Sequence, residues 1–243
     1  AITFDRSEVR FNLDENNEPI GVYFKISKDS NHLIEEFMLL ANRKVSEYIS
    51  LNSKGEITNN TFIYRVHDDP DPTKLEALRD FVSTFGYKMN ISNSKQTTQS
   101  MNSLLQNVKG KPEENMIETL AMRSMSKAVY STEPIGHYGL GFDYYTHFTS
   151  PIRRYPDLAI HRILTDVVNG VPKDKIKKKY EKFAKAAAKQ SSDTELAAMQ
   201  IERDATDIYV AYRGLSRTKD AGMSWEVVYN LGDMMFEGIR YNP

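Results

Sequence analysis

The sequence predicts an α/β protein of the α+β type, in which a mixed sheet is flanked by helices and a small β-rich segment follows. Alternating apolar and polar residues near the amino end are typical of half-buried strands. Apolar residues at helical spacing fill most of the later sequence. The composition, 40% hydrophobic and 27% charged, is that of an ordinary globular protein. We divide the chain into a main domain over 1–213 and a partial β module over 214–243.

A hairpin and a long helix are predicted at the amino end. Residues 1–13 and 19–27 alternate apolar and polar side chains on either side of the turn DENNEP, which predicts two strands joined by that turn. Asp29 or Ser30 is a suitable cap for a helix over about 31–50. The apolar residues of that helix fall on one stripe at 100° per residue.

The middle of the chain mixes short strands with helices. FIYRVHD at 62–68 predicts a strand, and the DPDP sequence at 69–72 ends it before a helix begins. Residues 86–97 are polar and irregular, and a short helix follows until the GKP sequence at 110–112. A helix over about 113–130 comes next.

The later part of the chain is predicted to be mostly helical. Residues 131–150 are rich in glycine and aromatic residues, which predicts loop and short strand. Pro156 predicts a single helical turn before it, a kink, and then a helix from about 157 to 170. Two further helices are expected over about 173–190 and 192–213.

Composition excludes several kinds of protein and site. The chain has no cysteine, which excludes disulfides, thiolate zinc sites and cysteine nucleophiles. The same absence is compatible with a reducing compartment, and we expect a cytoplasmic protein. No apolar run approaches the ~18 residues of a membrane span. The net charge of −1 is unusual for a protein that binds nucleic acid over a large surface, so any such contact needs a local basic site.

The segment HYGLGFDYYTHFTSPIRRYPDLAIHR at 137–162 holds the most informative residues of the sequence. Thr149 and Ser150 precede a helix, so free backbone N–H groups and the positive end of the helix dipole would meet there. Such an end binds anions readily. The guanidinium groups of Arg153 and Arg154 can each bind phosphate through two donors. These residues predict a site for the phosphate of a nucleic acid.

Four aromatic residues of the same segment could stack on nucleic-acid bases, namely Tyr144, Tyr145, Phe148 and Tyr155. The alternative is that these rings belong to the core and that the arginines pair with carboxylates of the chain, at Asp157 or Asp166. The residues themselves leave both interpretations open.

The string HFTSPIRRYPDLAIHR resembles the signature of the catalytic RNB domain of the ribonuclease II/ribonuclease R family. Three further segments resemble family segments in the same order: HLIEEFMLLANRKVSEYI at 32–49, IYRVHDDPDPTKLEAL at 63–78 and IETLAMRSMSKAVYS at 117–131. The similarity covers about residues 1–212 and is strongest with the bacterial ribonuclease R branch.

The resemblance implies a processive 3′→5′ exoribonuclease that hydrolyses RNA to nucleoside 5′-monophosphates with Mg²⁺. The expected partner is the 3′ end of a single-stranded RNA, and we expect a monomer without membrane contact. In the family four aspartates hold the metal, in a motif that we expect upstream of Ala1, so this fragment alone is expected to be inactive. Asp68, Asp69 and Asp71 form an acidic cluster, but the neighbouring prolines favour a capping loop over a metal site.

The resemblance also implies roles for single residues. Arg153, the first arginine of SPIRR, resembles the catalytic arginine that neutralises charge on the scissile phosphate. Glu202, in IERDA, resembles a glutamate near the 3′-terminal nucleotide and is the second catalytic candidate. Glu35, in LIEEF, resembles a residue near the terminal base and sugar, and it falls near the edge of the apolar stripe of its helix. Phe4, in ITFDR, resembles an aromatic residue that stacks on bases.

The RNA-binding candidates are Phe4, Glu35, His67, Tyr145, Thr149, Ser150 and Arg154. Some have a plainer interpretation: Phe4 as a core residue, His67 as a structural histidine, and the catalytic candidate Glu202 as part of a solvated helix face. The tail 214–243 stands where an S1-type barrel begins in the family, but it is too short for a complete barrel. An RNA-binding member without catalysis, or a helical scaffold protein, would also account for these segments.

Overall fold

The computed structural model describes residues 2, 8–16, 19–25, 28–58, 60–213, 215–217 and 226–229. Its helices are α1 (Asp29–Ser50), α2 (Pro72–Ser83), α3 (Ser94–Val108), α4 (Glu114–Ser124), α5 (Tyr155–Val168) and α6 (Lys173–Arg213). Its strands are β1 (Glu8–Leu13), β2 (Pro19–Lys25), β3 (Tyr64–Val66), β4 (Val129–Ser131), β5 (Leu215–Arg217) and β6 (Glu226–Tyr229). The chain divides into two compact units, residues 1–191 and 192–243.

The predicted α+β class is confirmed, with strands that pair in small antiparallel ladders. β1 and β2 form the predicted amino-terminal hairpin, in which Glu8 stands opposite Lys25. β3 pairs with β4 in the first unit, and β5 pairs with β6 in the second. Just beyond β3, a parallel bridge joins His67 to His137. The sheet was expected to combine parallel and antiparallel pairs, and within the described residues that bridge is the one parallel pairing.

Two predicted helix starts are corrected by the structure. α1 begins after Lys28, so neither Asp29 nor Ser30 is its cap residue. α3 begins inside the segment that was predicted to be irregular. Its start is explained by Asn93, whose side-chain oxygen accepts a hydrogen bond from the backbone N–H of Gln96 at 2.9 Å and so caps the helix.

The later helices differ from the prediction in length. α4 ends at Ser124, and β4 occupies part of the range predicted as helix. α6 is one helix of 41 residues where the sequence predicted two, since residues 190–192 include neither proline nor glycine. The single turn before α5 is confirmed: the N–H of Arg154 donates to the carbonyl of Ser150 at 3.1 Å. Arg154 is extended, and α5 begins at Tyr155, two residues before the predicted start. Among the helices that the structure describes, none combines the length and apolarity that crossing a membrane requires.

The apolar stripe of α1 reaches the core at Ile49 and Val45, but most of its larger side chains are exposed. The buried residues of the helix are Asn42, Ser46, Ile49 and Ser50. Leu33, Ile34, Phe37 and Tyr48, which belong to the stripe, are 57% to 60% exposed. α1 therefore packs through a face of mainly small and polar residues, which brings Asn42 into contact with the segment before α5.

Two cores lie in the first unit. One core surrounds β3 and α5, and its fully buried members include Phe62, Ile63, Ile160 and Ile163. The other core lies between α2, α3 and α4. The hydroxyl of Thr146 donates to the carbonyl of Ile63 at 2.7 Å, and the N–H of Arg65 donates to the carbonyl of Tyr145 at 2.9 Å. These two bonds fix the segment before α5 to the first core.

Candidate functional site

A cleft of about 430 Å³ opens in the first unit between α1 and the segment that leads into α5. α1 lines it with Asn31, Ile34, Glu35, Met38, Leu39 and Asn42. The other wall is formed by Tyr145, Thr149, Arg153 and Arg154. The cleft therefore brings together five of the site residues predicted from the sequence: Glu35 and the four residues of the second wall.

Helical spacing explains the α1 wall. Asn31, Glu35, Met38 and Asn42 recur at intervals of three and four residues, which places them on one face of the helix. Glu35 is exposed, and its carboxylate lies 3.8 Å from Nδ1 of His32. The position of Glu35 in the cleft agrees with its predicted place at the edge of the apolar stripe.

Asn42 joins the two walls. Its side chain is 3% exposed, and Oδ1 accepts hydrogen bonds from the backbone N–H groups of Phe148 at 2.9 Å and Thr149 at 3.2 Å. Its Nδ2 donates to the hydroxyl of Tyr145 at 3.1 Å. One buried amide thus fixes α1, which carries Glu35, against the segment that carries the other candidates.

The prediction that the backbone N–H groups of Thr149 and Ser150 bind an anion at a helix end is wrong. The N–H of Thr149 is bonded to Asn42, and the N–H of Ser150 donates to Oδ2 of Asp157 at 2.8 Å. The N–H groups of the next turn bond to the carbonyl of Ser150. Because these donors are satisfied within the chain, they do not offer a phosphate site. Among the side-chain donors of the cleft, the guanidinium of Arg153 remains for an anion.

The two arginines of SPIRR have different surroundings. Nη2 of Arg154 donates to Oδ2 of Asp157 at 2.9 Å, and the two side chains are 19% and 0% exposed. Arg153 is exposed, and its guanidinium makes no hydrogen bond or ion pair with the residues that the structure describes. The alternative in which the arginines pair with chain carboxylates is therefore right for Arg154. Arg153 is available to a ligand.

Tyr145 does not offer a ring face for base stacking, which corrects that part of its predicted role. It is 5% exposed. Its ring lies between those of His137, Phe142 and His147, with centroid distances of 5.3, 5.7 and 5.8 Å. Burial is the main reason that the pKa of the Tyr145 hydroxyl is raised above its ordinary value. The hydroxyl therefore stays protonated at neutral pH.

His67 lies away from this cleft. It lines a second cleft of about 440 Å³, and His137 and Phe142 also line that cleft. Nε2 of His67 lies 2.7 Å from the carbonyl oxygen of Ser126, and Nδ1 accepts a hydrogen bond from the N–H of Gly139 at 2.9 Å. Both ring nitrogens are engaged within the chain, so the structure favours the structural interpretation of His67.

A row of aromatic rings connects the two clefts. His67 lies 5.0 Å from His137, and His147 continues the row beyond Tyr145, with its Nδ1 2.8 Å from the hydroxyl of Tyr130. Burial, with a contribution from nearby positive charges, lowers the pKa of His137 to about 4 and that of His147 to about 3. Both imidazoles are neutral at physiological pH, and neither adds positive charge to the site.

Three candidates remain: Phe4, Ser150 and Glu202. Phe4 lies outside the described residues. Ser150 does not line the cleft, although its carbonyl and N–H shape the turn behind it. Glu202 is exposed on α6 in the second unit. The roles of Phe4 and Glu202 stay predictions.

The described residues do not fit the magnesium site that the resemblance implies. Glu35 is the one carboxylate in the cleft lining. Among the residues that the structure describes, there is no group of three or more His, Cys, Asp or Glu that could hold a metal ion. In the acidic cluster, Oδ1 of Asp71 accepts from the N–H of Thr73 at 2.9 Å and caps α2, and Oδ1 of Asp68 accepts from the N–H of Asp69. The capping-loop interpretation of this cluster is confirmed.

Two residues that organise the site were not among the predicted site residues. Asn42 carried a weak signal, since it is a polar residue between Met38 and Val45 of the apolar stripe. Asp157 appeared only as an alternative partner of the arginines. Its position in the first turn of α5, three residues after Arg154, is the spacing at which side chains of a helix meet.

The fold and the cleft belong to a known class of protein. The sequence profile of the RNB domain matches residues 1–170, which include every residue that lines the cleft. The chain is a member of the RNB domain family.

Its relatives include bacterial ribonucleases R, as the sequence predicted. Ribonuclease R 1 of Lactococcus lactis is 35% identical over 204 residues, which cover 84% of this chain and 24% of that protein. Ribonuclease R of Aquifex aeolicus is 34% identical over 210 residues, which cover 85% and 28%. The structure of Mycoplasma genitalium RNase R in complex with ribose-methylated single-stranded RNA superposes with a TM-score of 0.75 at 30% identity, over 86% of this chain and 32% of that one. The chain thus spans about a quarter to a third of the length of these relatives.

Proposed function

We propose that this chain forms part of a processive 3′→5′ exoribonuclease and that its cleft binds the 3′-terminal nucleotides of a single-stranded RNA. The observation that carries the proposal is the guanidinium of Arg153, which has no partner among the described residues and shares a cleft with Glu35 in a chain of the RNB domain family. Mycoplasma genitalium RNase R has been solved with single-stranded and with double-stranded RNA. Those complexes support RNA as the ligand class.

Three charged residues have chemical tasks in this proposal. Arg153 binds the scissile phosphate and neutralises the charge that develops on it during hydrolysis. Glu35 accepts hydrogen bonds from the terminal sugar or base. Glu202, assigned through the resemblance of IERDA alone, bonds to ribose hydroxyls, which is a contact that distinguishes RNA from DNA. The products are nucleoside 5′-monophosphates.

Magnesium and processivity enter the proposal through the family resemblance. The ligands of Mg²⁺ are proposed to be aspartates other than the carboxylates of the described residues, which form no suitable group. A cytoplasmic monomer is proposed on the same resemblance, together with the absence of cysteine.

The test is digestion of a 5′-labelled single-stranded RNA by the full-length protein, with and without Mg²⁺. Arg153→Ala is expected to lower the turnover number by about 10²–10³-fold, as for the loss of one donor to a developing oxyanion. Its effect on RNA affinity should be much smaller, because the phosphate charge grows in the transition state. Arg79→Ala is the matched control. Arg79 is partly exposed on α2 and pairs with Asp80, outside the cleft.

The outcomes separate the possible functions. Turnover at the wild-type rate in Arg153→Ala would remove the assigned role of this residue. RNA that is retained but never shortened, with Mg²⁺ present, would indicate an RNA-binding member without catalysis. Failure to retain single-stranded RNA at low salt would leave the scaffold interpretation.

A further inference from the structure

The orientation of the Asn42 amide is fixed by its neighbours. Oδ1 faces two backbone N–H groups, those of Phe148 and Thr149, at 2.9 and 3.2 Å. Backbone N–H groups only donate, so an amide turned the other way would place its NH₂ group against two donors. Nδ2 must therefore face the hydroxyl of Tyr145, 3.1 Å away.

This orientation determines what the hydroxyl of Tyr145 can do. Its oxygen accepts from Asn42, so its own hydrogen has to point to a different acceptor. The Tyr145 hydroxyl makes no other hydrogen bond among the described residues, although the residue is only 5% exposed. It lines the cleft together with Arg153. A buried tyrosine thus keeps one donor for a group that enters the cleft.

We infer that the Tyr145 hydroxyl donates a hydrogen bond to a non-bridging phosphate oxygen of RNA bound in the cleft, and that Asn42 is the positioning residue that keeps this hydrogen available. The inference rests on the proposed function, since it requires RNA in the cleft. A phosphate oxygen fits because it only accepts hydrogen bonds and is negatively charged. The guanidinium of Arg153 in the same cleft favours that charge.

The first test is Tyr145→Phe, which removes the hydroxyl and keeps the packed ring. RNA affinity is measured for the full-length protein in EDTA, so that hydrolysis does not consume the RNA. Binding should weaken roughly tenfold, the loss expected for a hydrogen bond to a charged group. The control is Tyr64→Phe. Tyr64 is also buried, and its hydroxyl lies 2.8 Å from that of Ser50, outside the cleft. This variant should bind RNA as the wild type does.

The role of Asn42 is tested with Asn42→Asp. One carboxylate oxygen can still accept from the two backbone N–H groups, but the other accepts from the Tyr145 hydroxyl and so withdraws its hydrogen from the cleft. Binding should again weaken roughly tenfold. In a Tyr145→Phe background, Asn42→Asp should cause little further loss. An equally large loss in both backgrounds would show that the new charge acts directly, and would overturn the positioning role.

The acceptor is tested on the RNA. One diastereomer of a phosphorothioate near the 3′ end replaces the proposed acceptor oxygen with sulfur, which accepts hydrogen bonds weakly. When the sulfur is placed at one of the three phosphodiester linkages nearest the 3′ end, RNA binding by the wild type should weaken. RNA binding by Tyr145→Phe should not change. Equal weakening of both proteins at every linkage would overturn the assignment to phosphate.

Arg153→Ala distinguishes failure of this inference from failure of the proposed function. If the wild type does not bind RNA, the proposed function falls. If Arg153→Ala neither weakens binding nor slows turnover, the assignment of the RNA site to this cleft falls. If Arg153→Ala has its expected effect while Tyr145→Phe binds like the wild type, only the inference about the hydroxyl is overturned.

Discussion

Removing one partner of the buried ion pair beside the cleft should destabilise the fold far more than removing one partner of an exposed pair of similar length. Asp157 is fully buried and accepts hydrogen bonds from the N–H of Ser150 at 2.8 Å and from Nη2 of Arg154 at 2.9 Å. The substitution Asp157→Ala removes the one carboxylate oxygen, Oδ2, that accepts both hydrogen bonds. The guanidinium of Arg154, whose side chain is 19% exposed, then has no counterion. The backbone N–H of Ser150 has no acceptor.

The size of the effect follows from this burial. Removing one partner of a buried ion pair costs about 3–5 kcal/mol. Arg154 reaches water in part, which favours the lower end of that range, whereas the unpaired N–H of Ser150 adds about 1–3 kcal/mol. We expect the free energy of unfolding to fall by about 3–5 kcal/mol. With a urea m-value of about 2–3 kcal/mol/M, the unfolding midpoint should fall by roughly 1–2 M.

Urea unfolding followed by circular dichroism measures this shift. The matched control is the exposed pair of Lys179 and Asp166, which is 2.7 Å long with a lysine that is 60% exposed. Lys179→Ala should shift the unfolding midpoint much less, because water screens an exposed pair. Asp157→Asn keeps an acceptor for the N–H of Ser150, so its unfolding midpoint should lie between those of Asp157→Ala and Lys179→Ala. Similar midpoints for Asp157→Ala and Lys179→Ala would refute the reasoning that burial sets the cost.

Two further predictions concern the histidines. Burial holds the pKa of His137 at about 4 and that of His147 at about 3. Histidine pKa values in the unfolded chain are near ~6.5, so the unfolded chain binds more protons than the folded chain below that pH. The free energy of unfolding therefore falls as the pH drops below ~6.5. The urea midpoint of the wild type should decrease between about pH 6.5 and 5, and that of His147→Gln should decrease less. An equal decrease in both proteins would contradict the assignment of this pH dependence to His147. In Gly139→Ala the added Cβ would lie 2.8 Å from Nδ1 of His67, so the thermal midpoint should fall by an amount equivalent to about 1–3 kcal/mol. Gly21→Ala, with its nearest neighbour at an ordinary 3.6 Å, should change stability less.

The sequence predicted those elements whose signals are local. The β1–β2 hairpin, α1, α2 and the turn before α5 follow from alternation, helical spacing and proline positions within a few residues. β4 was not predicted, because three residues become a strand only through pairing with β3, which lies far away in the sequence. The buried face of α1 was also missed, because burial depends on what packs against the helix and not on its own pattern.

The sequence identified the side chains of the site better than their contacts. Glu35, Tyr145 and the two arginines do lie in one cleft. Spacing alone could not tell which arginine is engaged, since that depends on how the turn before α5 presents each of them to Asp157. Asn42 was missed because its backbone partners are 106 and 107 residues away in the sequence.

The contrast between Arg153 and Arg154 bears on how a chain with a net charge of −1 could bind the RNA that we propose as its ligand. Asp157 balances Arg154, and Glu35 shares the cleft with Arg153, so the formal charges of these four groups cancel. Long-range attraction by these groups is therefore small, and the affinity of the cleft has to come from directed contacts at short range. The guanidinium of Arg153 and the hydroxyl of Tyr145 can make such contacts. Pairing with Asp157 engages one nitrogen of the Arg154 guanidinium and fixes the turn that presents Arg153, so we expect that the two neighbouring arginines are not interchangeable.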